Sequence, residues 1–133
     1  MKLDHIGIAV RNIEQRLKIW RDIFGIQIQG IEQIAEQKVR VAILTVGDVN
    51  IELLEPITED SPVAKYIAKR GEGIHHLSFE VGDVEKKIDE LKKHGLRMID
   101  EIPRKGTHGS RIAFIHPAST GGILIELTEK ENK

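Results

Sequence analysis

Six histidines, 21 acidic residues and no cysteine in a chain of 133 residues confine any metal chemistry to imidazole and carboxylate ligands. Four such groups fall at repeated points. Asp4-His5-Ile6-Gly7-Ile8-Ala9-Val10 aligns with His75-His76-Leu77-Ser78-Phe79-Glu80-Val81 at an offset of 71, and Ile51-Glu52-Leu53-Leu54-Glu55 aligns with Ile125-Glu126-Leu127-Thr128-Glu129 at an offset of 74. His5 therefore answers to His76, and Glu52 to Glu126. Matched imidazoles and carboxylates in a duplicated unit are what a pseudo-twofold metal site requires, and this donor set suits Zn, Co, Ni, Mn or Fe(II). In an octahedral shell, four protein ligands leave two positions for water or a bidentate substrate.

The elements that must position these groups repeat as well. Alternate strand residues point to opposite faces, so Ile6, Ile8 and Val10 share a packing face while His5, Gly7 and Ala9 share the other. Leu77, Phe79 and Val81 oppose His76, Ser78 and Glu80 in the same way. Small residues beside a histidine leave room for a ligand. Ile13, Leu17, Trp20 and Phe24 recur at helical spacing behind an Asn12 N-cap, as Val84, Ile88 and Leu91 do behind Asp83. Gly25 and Gly95 are placed to end these helices. Val41-Ala42-Ile43-Leu44 pairs with Ile112-Ala113-Phe114-Ile115. The pattern predicts an α+β fold of two paired βαβββ modules, at about 3–55 and 73–129, in a single domain spanning 1–133. The linker 56–72 holds a short helix opened by Ser61-Pro62.

Composition removes several functions. The 20 Lys+Arg against 21 Asp+Glu give a net charge of −1, so no phosphate-tracking face is forced and nucleic acid is not an expected partner. No apolar run approaches the ~18 residues of a membrane span. The start, Met1-Lys2-Leu3-Asp4-His5, lacks signal-peptide anatomy. Absence of cysteine suits a cytoplasmic setting.

Several longer segments carry a family resemblance. They are Leu3-Asp4-His5-Ile6-Gly7-Ile8-Ala9-Val10, Ile51-Glu52-Leu53-Leu54-Glu55-Pro56, Asp60-Ser61-Pro62-Val63-Ala64-Lys65-Tyr66-Ile67 and Gly73-Ile74-His75-His76-Leu77. Gly109-Ser110-Arg111-Ile112-Ala113-Phe114-Ile115-His116-Pro117 and Gly122-Ile123-Leu124-Ile125-Glu126-Leu127 continue it to the end of the chain. These segments resemble the vicinal-oxygen-chelate (glyoxalase-type) superfamily and, more narrowly, the methylmalonyl-CoA epimerases within it. The resemblance implies a cupped eight-stranded mixed sheet and a divalent metal on His5, Glu52, His76 and Glu126. Co²⁺ is favoured, with Mn²⁺, Ni²⁺ or Zn²⁺ as alternatives. It also implies an acyl-CoA substrate, a homodimer, and proton abstraction through a metal-chelated enolate, with Glu126 and Glu52 as the acid/base pair.

The chain departs from part of that family. Some relatives carry glutamine where Glu52 stands and a separate glutamate where this chain has Val41. Glu52 is therefore expected to act as acid/base as well as ligand, with Glu36 as the rival. His116 is read as structural, His94 as surface, and His108 as dressing of a loop that borders the cleft. Lys65, Lys69, Arg70, Arg104 and Lys105 are candidates to meet CoA phosphates. Two other functions remain open: lactoylglutathione lyase (glyoxalase I), and a metal-free binding protein of the same fold.

Overall fold

A computed structural model of the chain describes residues 1–131. Two compact units are present: His5–His75 form one, and Met1–Asp4 with the residues from His76 onward form the other. Eight strands and three α-helices follow the expected order, among the described residues. They are β1 (Lys2–Ala9), α1 (Ile13–Leu17), β2 (Gln27–Ile34), β3 (Val39–Val46), β4 (Val49–Pro56), α2 (Pro62–Arg70), β5 (Gly73–Glu80), α3 (Val84–Lys93), β6 (Arg104–Lys105), β7 (Arg111–Ile115) and β8 (Ile125–Glu129). The fold is mixed α+β, built from a duplicated βαβββ module.

In the first module the strand order is β2-β3-β4-β1, antiparallel except for the parallel pairing of β1 with β4. In the second it is β5-β8-β7-β6, with β5 parallel to β8 and the rest antiparallel. The parallel pairs follow from the connection, since each first strand must be regained after a helix and a meander.

The helices α1 and α3 are fastened to their sheets by the same contacts. Asn12 accepts from the Gln15 amide at 2.8 Å, and Asp83 from the Lys86 amide at 3.0 Å. The first helical amide donates to a carboxylate at the end of the last strand: Ile13 to Glu55 at 2.8 Å, Val84 to Glu129 at 2.9 Å. Arg40 then bridges Glu55 and Glu14, both at 3.0 Å. Arg111 does the same to Glu129 and Glu85, at 3.5 and 2.5 Å. Under α1, Ile13 and Leu17 pack on Ala42, Leu44 and Leu53; under α3, Val84 and Ile88 pack on Ala113, Ile115 and Leu127.

Two elements differ from expectation. Beyond Leu17 the first helix widens into a π-helical turn, Lys18–Ile23, in which the Phe24 amide donates to Ile19 O at 2.9 Å. The added residue per turn shifts the apolar spacing. Trp20 is partly buried against the core, whereas Phe24 is 62% exposed, so its expected packing role is not met. In the second module the first of the three later strands shrinks to Arg104–Lys105. Pro103 lacks an amide, and the Asp100 carboxylate, not a strand carbonyl, accepts from Phe114 N at 2.9 Å.

The linker helix forms as expected. Ser61 caps it by accepting from Val63 N at 3.2 Å, and Pro62 occupies its first turn. Val63 and Ile67 pack on Ala9, Val41, Ile43 and Leu54. No helix among the described residues is long and apolar enough to cross a membrane.

Candidate metal centre

Within the first module, β1 and β4 run in parallel with Gly7 opposite Glu52. His5 and Gly7 share a face, so the imidazole and the carboxylate meet, with His5 Nδ1 3.3 Å from Glu52 Oε2. Within the second module Ser78 stands opposite Glu126, and His76 Nε2 lies 3.6 Å from Glu126 Oε1. All four residues are buried, at 4% and 5% for the first pair and 5% and 5% for the second. The His76 and Phe114 rings also meet in a T-shaped contact, at 5.5 Å between centroids. His75 turns the other way, onto Tyr66. Strand parity thus separates the two adjacent histidines, as the offset from His5 requires.

These separations fit metal ligands. A charge-assisted N–H···O bond is typically ~2.8 Å long, and both pairs are wider. Two donors each ~2.1 Å from one ion lie ~3.0–3.5 Å apart in octahedral or tetrahedral geometry, close to both values. Buried carboxylates also need a partner charge to offset lost hydration. Residues and spacing therefore fit a divalent metal.

The faces around the two pairs are unlike. Next to His5 and Glu52 lie Ile43, then a row of Ala9, Leu54 and Val41, closed over by Val63 and Ile67 of α2. The sequence reading took this face to be off the core. It carries a hydrophobic cluster of its own, because β3 is buried on both faces. In the second module the corresponding row is Glu80, Thr128 and Ile112, next to Ser78, Glu126 and Phe114. Glu80 reaches Lys130 at 3.5 Å, and Lys130 reaches Asp4 at 3.0 Å.

The other sequence candidates lie on turns, on α2 and α3, and on β6. Glu36 is exposed on the turn Ala35–Gln37. His116 caps the turn Pro117–Ser119, its Nδ1 accepting from Ala118 N at 3.0 Å, which is a structural role. His94 is exposed at the C-cap of α3. His108 is exposed in the turn Thr107–Gly109 with φ of 52°, a left-handed conformation. Lys65, Lys69 and Arg70 are exposed on α2, and Lys105 is exposed on β6. Arg104 pairs with Asp100 at 3.0 Å and lies over Phe114. Sequence reasoning did not find the Asp100 bridge or the Arg40 and Arg111 clasps; the equal spacing of Glu14 to Arg40 and Glu85 to Arg111, with Glu55 and Glu129 at the ends of the aligned last strands, was the available signal.

Comparison with known proteins gives a consistent set of relatives. The pattern of the Glyoxalase/Bleomycin resistance protein/Dioxygenase superfamily matches residues 4–114. The chain is 34% identical over 130 residues to the ethylmalonyl-CoA/methylmalonyl-CoA epimerase of Cereibacter sphaeroides, spanning 96% of this chain and 97% of that protein. The crystal structure of methylmalonyl-CoA epimerase from Mycobacterium tuberculosis superposes with a TM-score of 0.94 at 39% identity, covering 98% of this chain and 88% of the other. A variant of the Streptomyces coelicolor methylmalonyl-CoA epimerase, in complex with 2-nitronate-propionyl-CoA, gives 0.94 at 38% identity, with coverage of 98% and 94%.

Proposed function

We propose, from the premise that the chain belongs to the Glyoxalase/Bleomycin resistance protein/Dioxygenase superfamily and within it to the methylmalonyl-CoA epimerases, that it is a metal-dependent enzyme interconverting (R)- and (S)-methylmalonyl-CoA. The observation that carries this reading is the pair of buried His–Glu couples at matched register positions, His5 with Glu52 and His76 with Glu126. In this reading both couples hold one ion and the two units act as one domain. Co²⁺ is the favoured metal, and Mn²⁺, Ni²⁺ and Zn²⁺ suit the same ligands. When bound, a divalent metal supplies positive charge beside the oxygens that become negative as the substrate loses its proton.

Epimerisation removes a proton from the carbon between a thioester and a carboxylate and returns one to the opposite face. That needs two proton-transfer groups. Glu126 and Glu52 fill these roles, one on each side of the flattened carbon. Glu52 is the one carboxylate that β1, β3 and β4 place on the first module's site face, where Val41 is packed among hydrocarbon. The same reading makes the enzyme cytoplasmic and a homodimer.

Deuterium entry at C2 of methylmalonyl-CoA, followed with and without a chelator, tests the proposal. Exchange that stops on chelation and returns with Co²⁺ is expected. Turnover of a glutathione hemithioacetal without any exchange of methylmalonyl-CoA would instead identify a lactoylglutathione lyase. A protein that takes up no metal and exchanges neither substrate is a binding protein.

A further inference from the structure

The second module holds a buried aromatic ring that its apolar packing does not account for. Phe114 is 8% exposed, yet it belongs to none of the three hydrophobic clusters among the described residues. Its register partner is Glu126, and its ring stands perpendicular to the His76 imidazole with the centroids 5.5 Å apart. Arg104 lies over the same ring, its guanidinium carbon 5.9 Å from the centroid, within the reach of a cation–π contact. Asp100 ties these groups together. Its carboxylate accepts from the Phe114 amide at 2.9 Å through Oδ2 and pairs with Arg104 Nε at 3.0 Å through Oδ1. The Phe114 carbonyl accepts in turn from Ile99 N at 2.9 Å. In the first module the matching residue, opposite Glu52, is Ile43, which sits in the cluster beneath α2. Hydrocarbon packing holds that position in one module; a carboxylate and a stacked cation hold it in the other.

We propose that Asp100, Arg104 and Phe114 clamp the His76 ring, which makes them positioning residues for the His76–Glu126 half of the centre. The proposal rests on the metal-dependent reading above. An imidazole turns about its Cβ–Cγ bond, and only part of that rotation keeps Nε2 facing Glu126. A perpendicular aromatic neighbour favours one orientation, provided that the neighbour is itself fixed. Arg104 fixes the Phe114 ring, and Asp100 fixes both Arg104 and the Phe114 backbone. Groups that orient a ligating histidine typically alter metal affinity about 10- to 100-fold when removed. The Arg104 side chain is 39% exposed, so its ion pair adds little to folding. Its effect falls on the centre instead.

Arg104→Met, which keeps the apolar stem and removes the cation, is the main test. Co²⁺ affinity, measured by titration, should fall about 10-fold in Arg104→Met and in Phe114→Leu, and Arg104→Lys should recover part of the loss. Arg111→Met, which removes a guanidinium that clasps a helix, should keep the wild-type affinity. The visible absorption of bound Co²⁺ should change in Arg104→Met and Phe114→Leu. In the metal-free protein, the ¹H–¹³C NMR signals of the His76 ring should shift or broaden in Arg104→Met while the melting temperature barely moves. Co²⁺ affinity and absorption unchanged in Arg104→Met overturn the proposal. So does an equal loss of affinity in Arg111→Met, which would make the effect one of general stability. A wild type that binds no Co²⁺, with His76 signals that still loosen in Arg104→Met, fails the metal-dependent reading and upholds the clamp.

Discussion

Arg40 and Arg111 clasp equivalent glutamates, yet the strands they brace present different surroundings to the two His–Glu couples. On the first module the row beyond Glu52 is Ala9, Leu54 and Val41 under the cover of α2; on the second the row beyond Glu126 is Glu80, Thr128 and Ile112. The positions of the His–Glu couples belong to the shared frame of strand register, N-caps and arginine clasps. What lies next to each ligand is free to diverge, because a substitution there leaves the frame intact. A duplicated fold can thus keep its His–Glu couples at matched register positions while the residues beside them diverge, apolar in one module and polar in the other.

The sharpest way to break this comparison is to remove the proposed acid/base groups one at a time. Glu126→Gln should lower C2 exchange about 1,000-fold and Glu52→Gln about 100-fold, within the range for general acid–base groups. Metal content by elemental analysis should remain substantial in both, since an amide oxygen still ligates. Near-full epimerisation by Glu52→Gln would remove Glu52 from the catalytic role and leave it as a ligand alone.

Packing offers the next test. Leu54 and Thr128 are register equivalents, one in a hydrocarbon cluster and one in a polar row. Leu54→Ala should cost about 3 kcal/mol, a cavity beneath α2. Thr128→Ala should cost about 1 kcal/mol. Urea unfolding of both variants, with unchanged slopes, gives the two values. Equal costs would mean that the two rows are alike in packing after all.

Much of this was legible in the sequence because the signals are local. Alternation fixed which face His5, His76, Glu52 and Glu126 occupy, and Asn12, Asp83 and Ser61 marked the helix starts. The unread features are non-local. The π-helical turn is a matter of backbone bonds such as Phe24 N to Ile19 O, which leave no mark in the apolar spacing. The shortened β6 depends on Asp100 taking the place of a ladder carbonyl. Val41 and Ile43 belong to a strand apolar on both sides, so parity there does not distinguish a helix-covered face from a site face.

Smaller effects separate the clasps. Arg40→Met and Arg111→Met should each lower stability only slightly, because both guanidinium groups are solvent-accessible and solvent weakens their ion pairs. The costs should be similar if the frame is truly shared. Thermal unfolding at low and high salt checks this, and high salt should shrink both differences.

The least of the expected effects concerns acid. Glu72 joins the first module's helix to the segment before β5, taking Arg16 at 3.0 and 2.7 Å and the Arg11 amide at 3.2 Å. The Arg16 hydrogen bonds hold its carboxyl below the ordinary 4.5, against an opposing push from burial. A depressed folded-state pKa stabilises the protein above the unfolded value and loses that contribution as pH falls through the folded value. Stability should therefore decline below about pH 4.5 partly through Glu72. Glu72→Gln should remove up to about 1 kcal/mol at pH 7 and progressively less in acid. Urea midpoints of the wild type and Glu72→Gln should converge as pH drops from 6 to 3. Midpoints that stay equally spaced through acid would show that the Arg16 pair adds nothing that titrates.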